Sequence, residues 1–388
     1  MESWAASRKL TGGVTVMLTG FLSACGLSSA SSPHPVPKYL PTTVAHVREA
    51  GPLSGSASRA VILPHGEVMA VAGSRMLVGL FPTPNPQGSG MIGHSGLDIV
   101  NLKTGAAQQL VRMLPTMQPN AAAMTSQWIV WEPGIAGTTQ YTRLVAENLK
   151  THNSWDIYRV PTDAVATADV KGLDIRGNTA FWLTTITSPR GVITTTIWSY
   201  NLGARHKSVV VSERSNVDHR LIFSMAVAPH AIWYSDSFSG NIYDTSARGQ
   251  LVERRITAPY RKTWEQPLWH AGTVYGATDK TVVFTANYHK APNSPQNPGP
   301  YPIYEYVKGA RKLEQLTGRD AANATLGGRT LVINGSGSQK ATLLSLGTKR
   351  TYSLPGAYAY TNGQIVVWET QSGRIEWASL SYLLSKPR

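Results

Sequence analysis

Cysteine is almost missing from this chain of 388 residues: Cys25 is the only one. A single thiol can build neither a disulfide framework nor a thiolate metal cluster. Charge is scarce as well, at 15% of residues, and lopsided, with 22 Asp and Glu against 36 Lys and Arg. Long apolar runs are lacking: the stretch Leu10 to Ala24 (LTGGVTVMLTGFLSA) falls short of the roughly 20 residues that cross a bilayer as a helix. No stripe of apolar residues at i, i+3, i+4 extends beyond about three turns after residue 50, which argues against long helices. What is abundant instead is Gly (35), Pro (24) and aromatic residues (9%), the material of turns and strands. The expected fold class is all-β.

Catalytic signatures are also wanting. GHSGL at Gly93 comes nearest to the nucleophile elbow G-x-S-x-G and fails at its fifth position. There is no H-E-x-x-H, no Cys/His cluster, no phosphate-cradling loop and no EF-hand run. The 10 histidines stand singly along the chain. SDSFSG at Ser235 partly echoes a sialidase Asp-box but lacks the following Thr-Trp. The sequence therefore gives no reason to expect a cofactor or a metal.

The N-terminus carries a pattern of its own. Arg8 and Lys9 precede the apolar stretch, which ends in LSAC, Leu22 to Cys25, followed by Gly26. This order, basic then apolar then an aliphatic residue and two small residues before cysteine, resembles the lipobox of bacterial lipoproteins. The resemblance implies cleavage between Ala24 and Cys25 and a diacylglyceryl thioether plus a further acyl chain on Cys25. Thiolate nucleophilicity is why that chemistry needs cysteine, and several acyl chains are what make the anchoring stable. A buried free cysteine is the competing reading. On the lipoprotein reading residues 1–24 are a signal peptide, and the mature protein lies on the extracytoplasmic face of the cell membrane.

The formal net charge is +14. Loss of Arg8, Lys9 and Glu2 with the signal peptide changes it by only one unit. For an exported protein such a charge suits anionic lipid headgroups, wall polymers or acidic glycans, and export argues against nucleic acid as the partner. The basic residues are spread along the chain, as in Arg254-Arg255, Arg261-Lys262, Arg311-Lys312 and Lys349-Arg350. They recur at expected turns, so a generally basic, solvated surface is the competing explanation.

From Cys25 to residue 57 the sequence is rich in Ser, Pro and Gly and reads as a tether, although TVAHVREA at Thr43 to Ala50 is a possible strand. Repetition starts near residue 58. Short strands dense in aromatic and β-branched residues recur: RMLVGLF from Arg75, QWIVWEP from Gln127, TAFWLTT from Thr179, AIWYSDS from Ala231, TVVFTAN from Thr281, RTLVING from Arg329 and QIVVWET from Gln364. Between them lie hairpin-like units centred on a polar turn: NLKTG at Asn101, NLKTH at Asn148, NLGAR at Asn201, then more diverged copies. Two linked strand pairs per unit, repeated seven times, resemble a β-propeller of seven four-stranded blades, with six or eight as neighbouring counts. The irregular units are similar to extracytoplasmic TolB or YVTN-type propellers, and no regular Gly-His…Trp-Asp signature is present. Residues 58–388 form this expected domain. Its last unit lacks a fourth strand, which predicts that SRAVILP from Ser58 or TVAHVRE from Thr43 completes it and closes the ring.

Trp128, Trp131, Trp182, Trp233, Tyr234 and Trp368 in the second strands are expected to pack blade against blade. Long Pro/Gly-rich connections between second and third strands would gather on one face, the face away from NLKTG, and make the recognition surface. His94, Tyr288, His289, Tyr301 and Tyr304 are the candidate contact residues there. The function expected is binding, by a monomer, of a protein partner or an anionic envelope polymer or glycan. A glycan hydrolase or lyase working through channel carboxylates is the alternative, drawn from Glu132, Asp174, Asp236, Asp320 and Glu369.

Overall fold

Each aromatic-rich segment is the second strand of a four-stranded antiparallel sheet, and a computed structural model assembles seven such sheets into a ring. The structure describes residues 40–385 apart from 53–58, 64–65, 88, 90, 137–142, 218–219, 239–248, 269–271, 286–301, 318–322, 335–339 and 371–373. Blade one comprises Gly66–Ala72, Arg75–Leu80, Ser95–Asn101 and Ala107–Met113. Blade two follows with Met117–Met124, Trp128–Ile135, Arg143–Asn148 and Ser154–Arg159. Blade three is Ala166–Arg176, Thr179–Thr187, Ile193–Asn201 and His206–Arg214, and blade four Arg220–Val227, Ala231–Phe238, Gly249–Arg255 and Lys262–Leu268. Blade five uses Val274–Ala277, Thr281–Thr285, Ile303–Val307 and Leu313–Thr317; blade six uses Asn323–Gly327, Thr330–Asn334, Thr342–Ser345 and Arg350–Ser353. Blade seven has three strands of its own, Tyr358–Thr361, Ile365–Glu369 and Arg374–Ser379.

Its fourth strand is Arg59–Ile62, paired antiparallel so that Val61 stands opposite Ile375. An uncovered Arg374–Ser379 would leave a row of backbone donors and acceptors exposed; the early strand covers them and joins the two ends of the ring. Val61 then packs into a cluster built from Val367, Ile375 and Trp377 of blade seven and Val71, Met76 and Val78 of blade one. The second candidate segment has a different use. Thr42–Val44 and Arg48–Pro52, within the stretch expected to be tether, add parallel fifth strands to the outer edges of blades five and six. The N-terminal part of the chain thus straps three successive blades.

The polar turns lie between third and fourth strands, as their spacing suggests. In each NL-x-x copy the asparagine side chain folds the turn: Asn148 Oδ1 accepts from the backbone of Lys150 at 2.9 Å and Thr151 at 3.3 Å. Asn101 and Asn201 do the same. The fifth residue takes a positive φ, 77° at Gly105, 57° at His152 and 54° at Arg205, the left-handed region that Gly occupies without strain. The residue after each third strand then donates its backbone N–H to the turn between first and second strands. Leu102 reaches Ser74, Leu149 Gln127, Leu202 Asn178, Ile256 His230, Lys308 Lys280, Leu346 Arg329 and Leu380 Gln364. One bond in every blade ties the two short turns together on one face.

Between blades the core is apolar and continuous. Phe181, Leu183 and Ile197 of blade three meet Ile222, Met225 and Ile232 of blade four. Trp182, Trp233 and Trp368 are fully buried, each worth about 1.5–3 kcal/mol relative to an exposed position. Trp182 packs edge-on against Tyr158 of blade two, and Trp233 against Tyr306 of blade five, which is the blade-against-blade packing expected of them. The chain ends in a short helix, Leu380–Ser385. No helix among the described residues is long and apolar enough to cross a membrane.

Candidate functional site

Antiparallel blades sort their connections. Turns between strands one and two and between three and four share one face, here the short-turn face. Connections between strands two and three, and between successive blades, share the opposite face, here the loop face.

Near the loop face, buried polar side chains hold five of the blades to the first strand of the next or to the residues just before it. Ser95 Oγ donates to the Met117 carbonyl. Glu132 Oε2 accepts from the Val170 N–H at 3.0 Å, and its Oε1 accepts from Asn120 Nδ2 at 3.1 Å. Thr195 Oγ1 accepts from Ile222 N–H at 2.9 Å, Ser235 Oγ donates to the Gly272 carbonyl, and Asn334 Oδ1 accepts from Ala359 N–H at 2.8 Å. These groups are buried, where an unmade hydrogen bond is costly. Their chemistry is therefore structural.

The strand-end carboxylates divide accordingly. Glu132 belongs to these inter-blade bonds. Asp236 is fully buried, accepts from Gln250 Nε2 at 2.9 Å and lies 3.8 Å from Arg220; burial pushes its carboxyl up to about 6. Asp174 is also raised by burial to about 6, against the opposing pull of Arg176, whose guanidinium lies 2.7 Å away. The Tyr360 hydroxyl, from the first strand of blade seven, is raised by burial to about 12 with a contribution from Asp174. Glu369, half-buried at the loop-face rim, is raised to about 7 by burial and by neighbouring Glu67 of blade one. Asp320 lies outside the described residues. Among the described residues, no three His, Cys, Asp or Glu side chains converge as metal ligands would.

The two faces differ in charge. In the short turns, exposed cations recur blade after blade: Arg75, Lys103, Lys150, Arg205, Lys280 and Arg329, with Arg261, Arg311 and Lys312 beyond them. Asp279 is the one acidic residue in the turns 73–75, 102–106, 125–127, 149–153, 177–178, 202–205, 228–230, 256–261, 278–280, 308–312, 328–329, 346–349 and 362–364. Around the loop face both signs mix: Glu67, Glu132, Glu213, Asp236 and Glu369 stand among Arg112, Arg143, Arg190, Arg214 and Lys340. Two further short-turn cations, exposed Lys308 and half-buried Lys349, are paired with carboxylates. Lys308 pairs with Glu253 at 2.7 Å, and Lys349 with both Glu305 and Glu314.

Of the expected contact residues, His94 is exposed on the loop face, where its charge opposes the burial-driven rise of the Asp98 carboxyl. Tyr288, His289 and Tyr301 fall outside the described residues, as does Cys25. Tyr304 is a correction: it stands in the third strand of blade five, fully buried against Phe284. The strand Ile303–Val307 is buried on both faces, so its aromatic residues belong to the core. A second correction concerns the connection between the second and third strands of blade three, TITSPRGVI from Thr185, expected to be long: its ends are strand, and the connection shrinks to residues 188–192, closed by Gly191 N–H donating to the Ser188 carbonyl. A groove of about 550 Å³ on the loop side between blades one and two, lined by Met113, Leu114, Trp131, Trp155 and Arg143 among others, had no signal in the sequence. The basic residues were seen to recur at expected turns, but nothing in the sequence gathered them on one face.

No protein-family profile matches the sequence, and no curated protein sequence matches it. Solved structures do match in fold. The β-propeller domain of the trilobed protease from Pyrococcus furiosus, described as having an open velcro topology, is 11% identical with a TM-score of 0.53, over 83% of this chain and 99% of that one. Oligogalacturonate lyase in complex with manganese is 13% identical with a TM-score of 0.52, over 88% of this chain and 97% of that one. Puromycin hydrolase is 12% identical with a TM-score of 0.52, over 83% of this chain, which spans only 53% of that one. At these identities the shared property is architecture: this chain is a seven-bladed β-propeller.

Proposed function

We propose that this propeller is an extracytoplasmic binding protein, held to the membrane by acylation of Cys25 and recognising a protein partner or an anionic envelope polymer through its loop face. The observation that carries the binding reading is the fate of the polar groups at the loop-face rim. Glu132, Thr195, Ser235 and Asn334 are committed to holding the next blade, which makes a rigid platform from which the longer connections project. Replacing the connection between Thr285 and Pro302 by a four-residue turn should abolish retention on immobilised anionic wall polymer or on a cross-linkable partner, without lowering the melting temperature. Unchanged retention would sink the loop-face reading. The anchor has its own test. Wild type expressed in a bacterial host should carry diacylglycerol on Cys25 by mass spectrometry, and Cys25→Ala should move to the soluble fraction.

One observation favours the enzymatic alternative. The Glu369 carboxyl, near 7 beside Glu67, sits where a general acid operates best at neutral pH. Incubation with acidic oligosaccharides decides it: turnover that Glu369→Gln abolishes would establish an enzyme, and absence of turnover leaves binding.

A further inference from the structure

We propose that the short-turn face is a membrane-docking surface that seats on anionic lipid headgroups, with the loop face pointing away from the bilayer. In its tether argument this rests on the acyl-anchor reading above; in its charge and shape it does not.

Four observations converge. The first is charge: exposed Lys and Arg recur in the short turns of blades one to three, five and six, with Asp279 the one acid among those turn residues. Blade four contributes Arg261. The second is shape. These turns are held to one height by the bond repeated in all seven blades, from Leu102–Ser74 round to Leu380–Gln364. A level ring of cations matches an extended anionic plane; a stripe or cleft would suit a single polymer chain better. The third is the path of the chain. Thr42–Val44 runs parallel to Leu313–Thr317, with the Leu313 N–H donating to the Pro41 carbonyl at 2.9 Å and Leu40 packed against the same apolar cluster as Ala310. The N-terminal segment therefore joins the propeller at the short-turn face, beside Arg311 and Lys312. Residues 26–39 span at most about 50 Å when fully extended, so a lipid on Cys25 would tether the propeller from the side of this face. The fourth is apolar: where blade seven lacks a fourth-strand turn, the terminal helix leaves Tyr382 39% and Leu384 39% exposed while Leu383 is buried. An aromatic and an aliphatic side chain at that level suit the headgroup boundary.

Physically, the charge of an anionic leaflet attracts basic side chains only within about a Debye length. A flat array brings many cations inside that distance at once. Tethering raises their effective concentration at the surface, so modest intrinsic attraction suffices to fix orientation.

The test uses the full chain with Cys25→Ser, which removes the acyl group, so its failure cannot be confused with failure of the anchor. Two charge-reversal variants carry the same change in net charge. One replaces Lys103, Lys150, Lys280 and Arg311 by Glu on the short-turn face; the other replaces Arg112, Arg190, Arg214 and Lys340 by Glu on the loop side. Co-sedimentation is measured with phosphatidylglycerol-containing and pure phosphatidylcholine vesicles. The expected result is at least tenfold tighter binding to the anionic vesicles, lost at least tenfold in the short-turn variant and changed less than twofold in the other. Equal losses in the two variants, or no preference for anionic lipid, would overturn the proposal. Binding of soluble polyphosphate through the short-turn face without vesicle binding would overturn it too, making the face a polymer site.

Discussion

The two faces of this propeller are built from the same strands yet are different kinds of surface. On one, every connection is a short turn, most of them closed by an Asn, Gly or Thr of their own, and one backbone bond recurs in every blade. On the other, connections vary in length from the tight 188–192 turn to stretches of more than a dozen residues, and both signs of charge mix. The lesson is that antiparallel alternation converts a sequence period into a spatial segregation. A basic residue placed once per repeat at the same register becomes a ring on one face.

Breaking the ring should have the largest effect, because both faces depend on it. Deleting residues 40–65 removes Arg59–Ile62 and the two strap strands and should abolish cooperative thermal unfolding; an unchanged melting curve would contradict the closure. Val61→Asp puts a charge into the cluster between blades seven and one and should cost about 3 kcal/mol in denaturant unfolding. Next, Trp233→Ala removes a fully buried ring packed on Trp264 and Tyr306 and should cost about 3–5 kcal/mol.

A carboxylate on the loop side sharpens the comparison through pH. The Asp236 carboxyl titrates near 6 in the folded protein against 3.8 ordinarily, so between those values the folded state holds the proton more tightly than the unfolded one. Stability from this group is fully present below about pH 4, falls as pH rises toward 6, and stays lower above it, by about 2–3 kcal/mol. Asp236→Asn should flatten that fall, seen as a melting temperature that no longer declines between about pH 4 and 6. A decline of equal size in the variant would rule Asp236 out as its source. The smallest effect belongs to the short turns. Asn148→Ala removes two side-chain bonds at an exposed site and should cost about 1 kcal/mol while leaving the fold intact by circular dichroism.

Local patterns carried most of the architecture. The aromatic second strands and the Asn turns announce themselves because strand alternation and turn chemistry act within a few residues. The need for a closing strand was legible because the last repeat unit shows only three, but whether SRAVILP or TVAHVRE supplied it was not. Tyr304 was misassigned because a Pro/Gly-rich run ends only just before it, and no local signal marks where a loop becomes a strand buried on both faces. The partners of Glu132 and Ser235 were illegible for another reason: Val170 and Gly272 lie 38 and 37 residues away, and only the ring brings them together. The cations show the same limit. Along the chain they look dispersed; folded, they share a plane.

Orientation at a membrane is the most direct test of the difference between the faces. With Cys25 acylated as proposed, Thr104→Cys on the short-turn side and Ile92→Cys on the loop side would each present one free thiol for a fluorophore. On bilayers containing phosphatidylglycerol and a headgroup quencher, the label at residue 104 should be strongly quenched and that at residue 92 should not. Equal quenching at both positions, or stronger quenching at residue 92, would contradict the assignment of the short-turn face to the membrane.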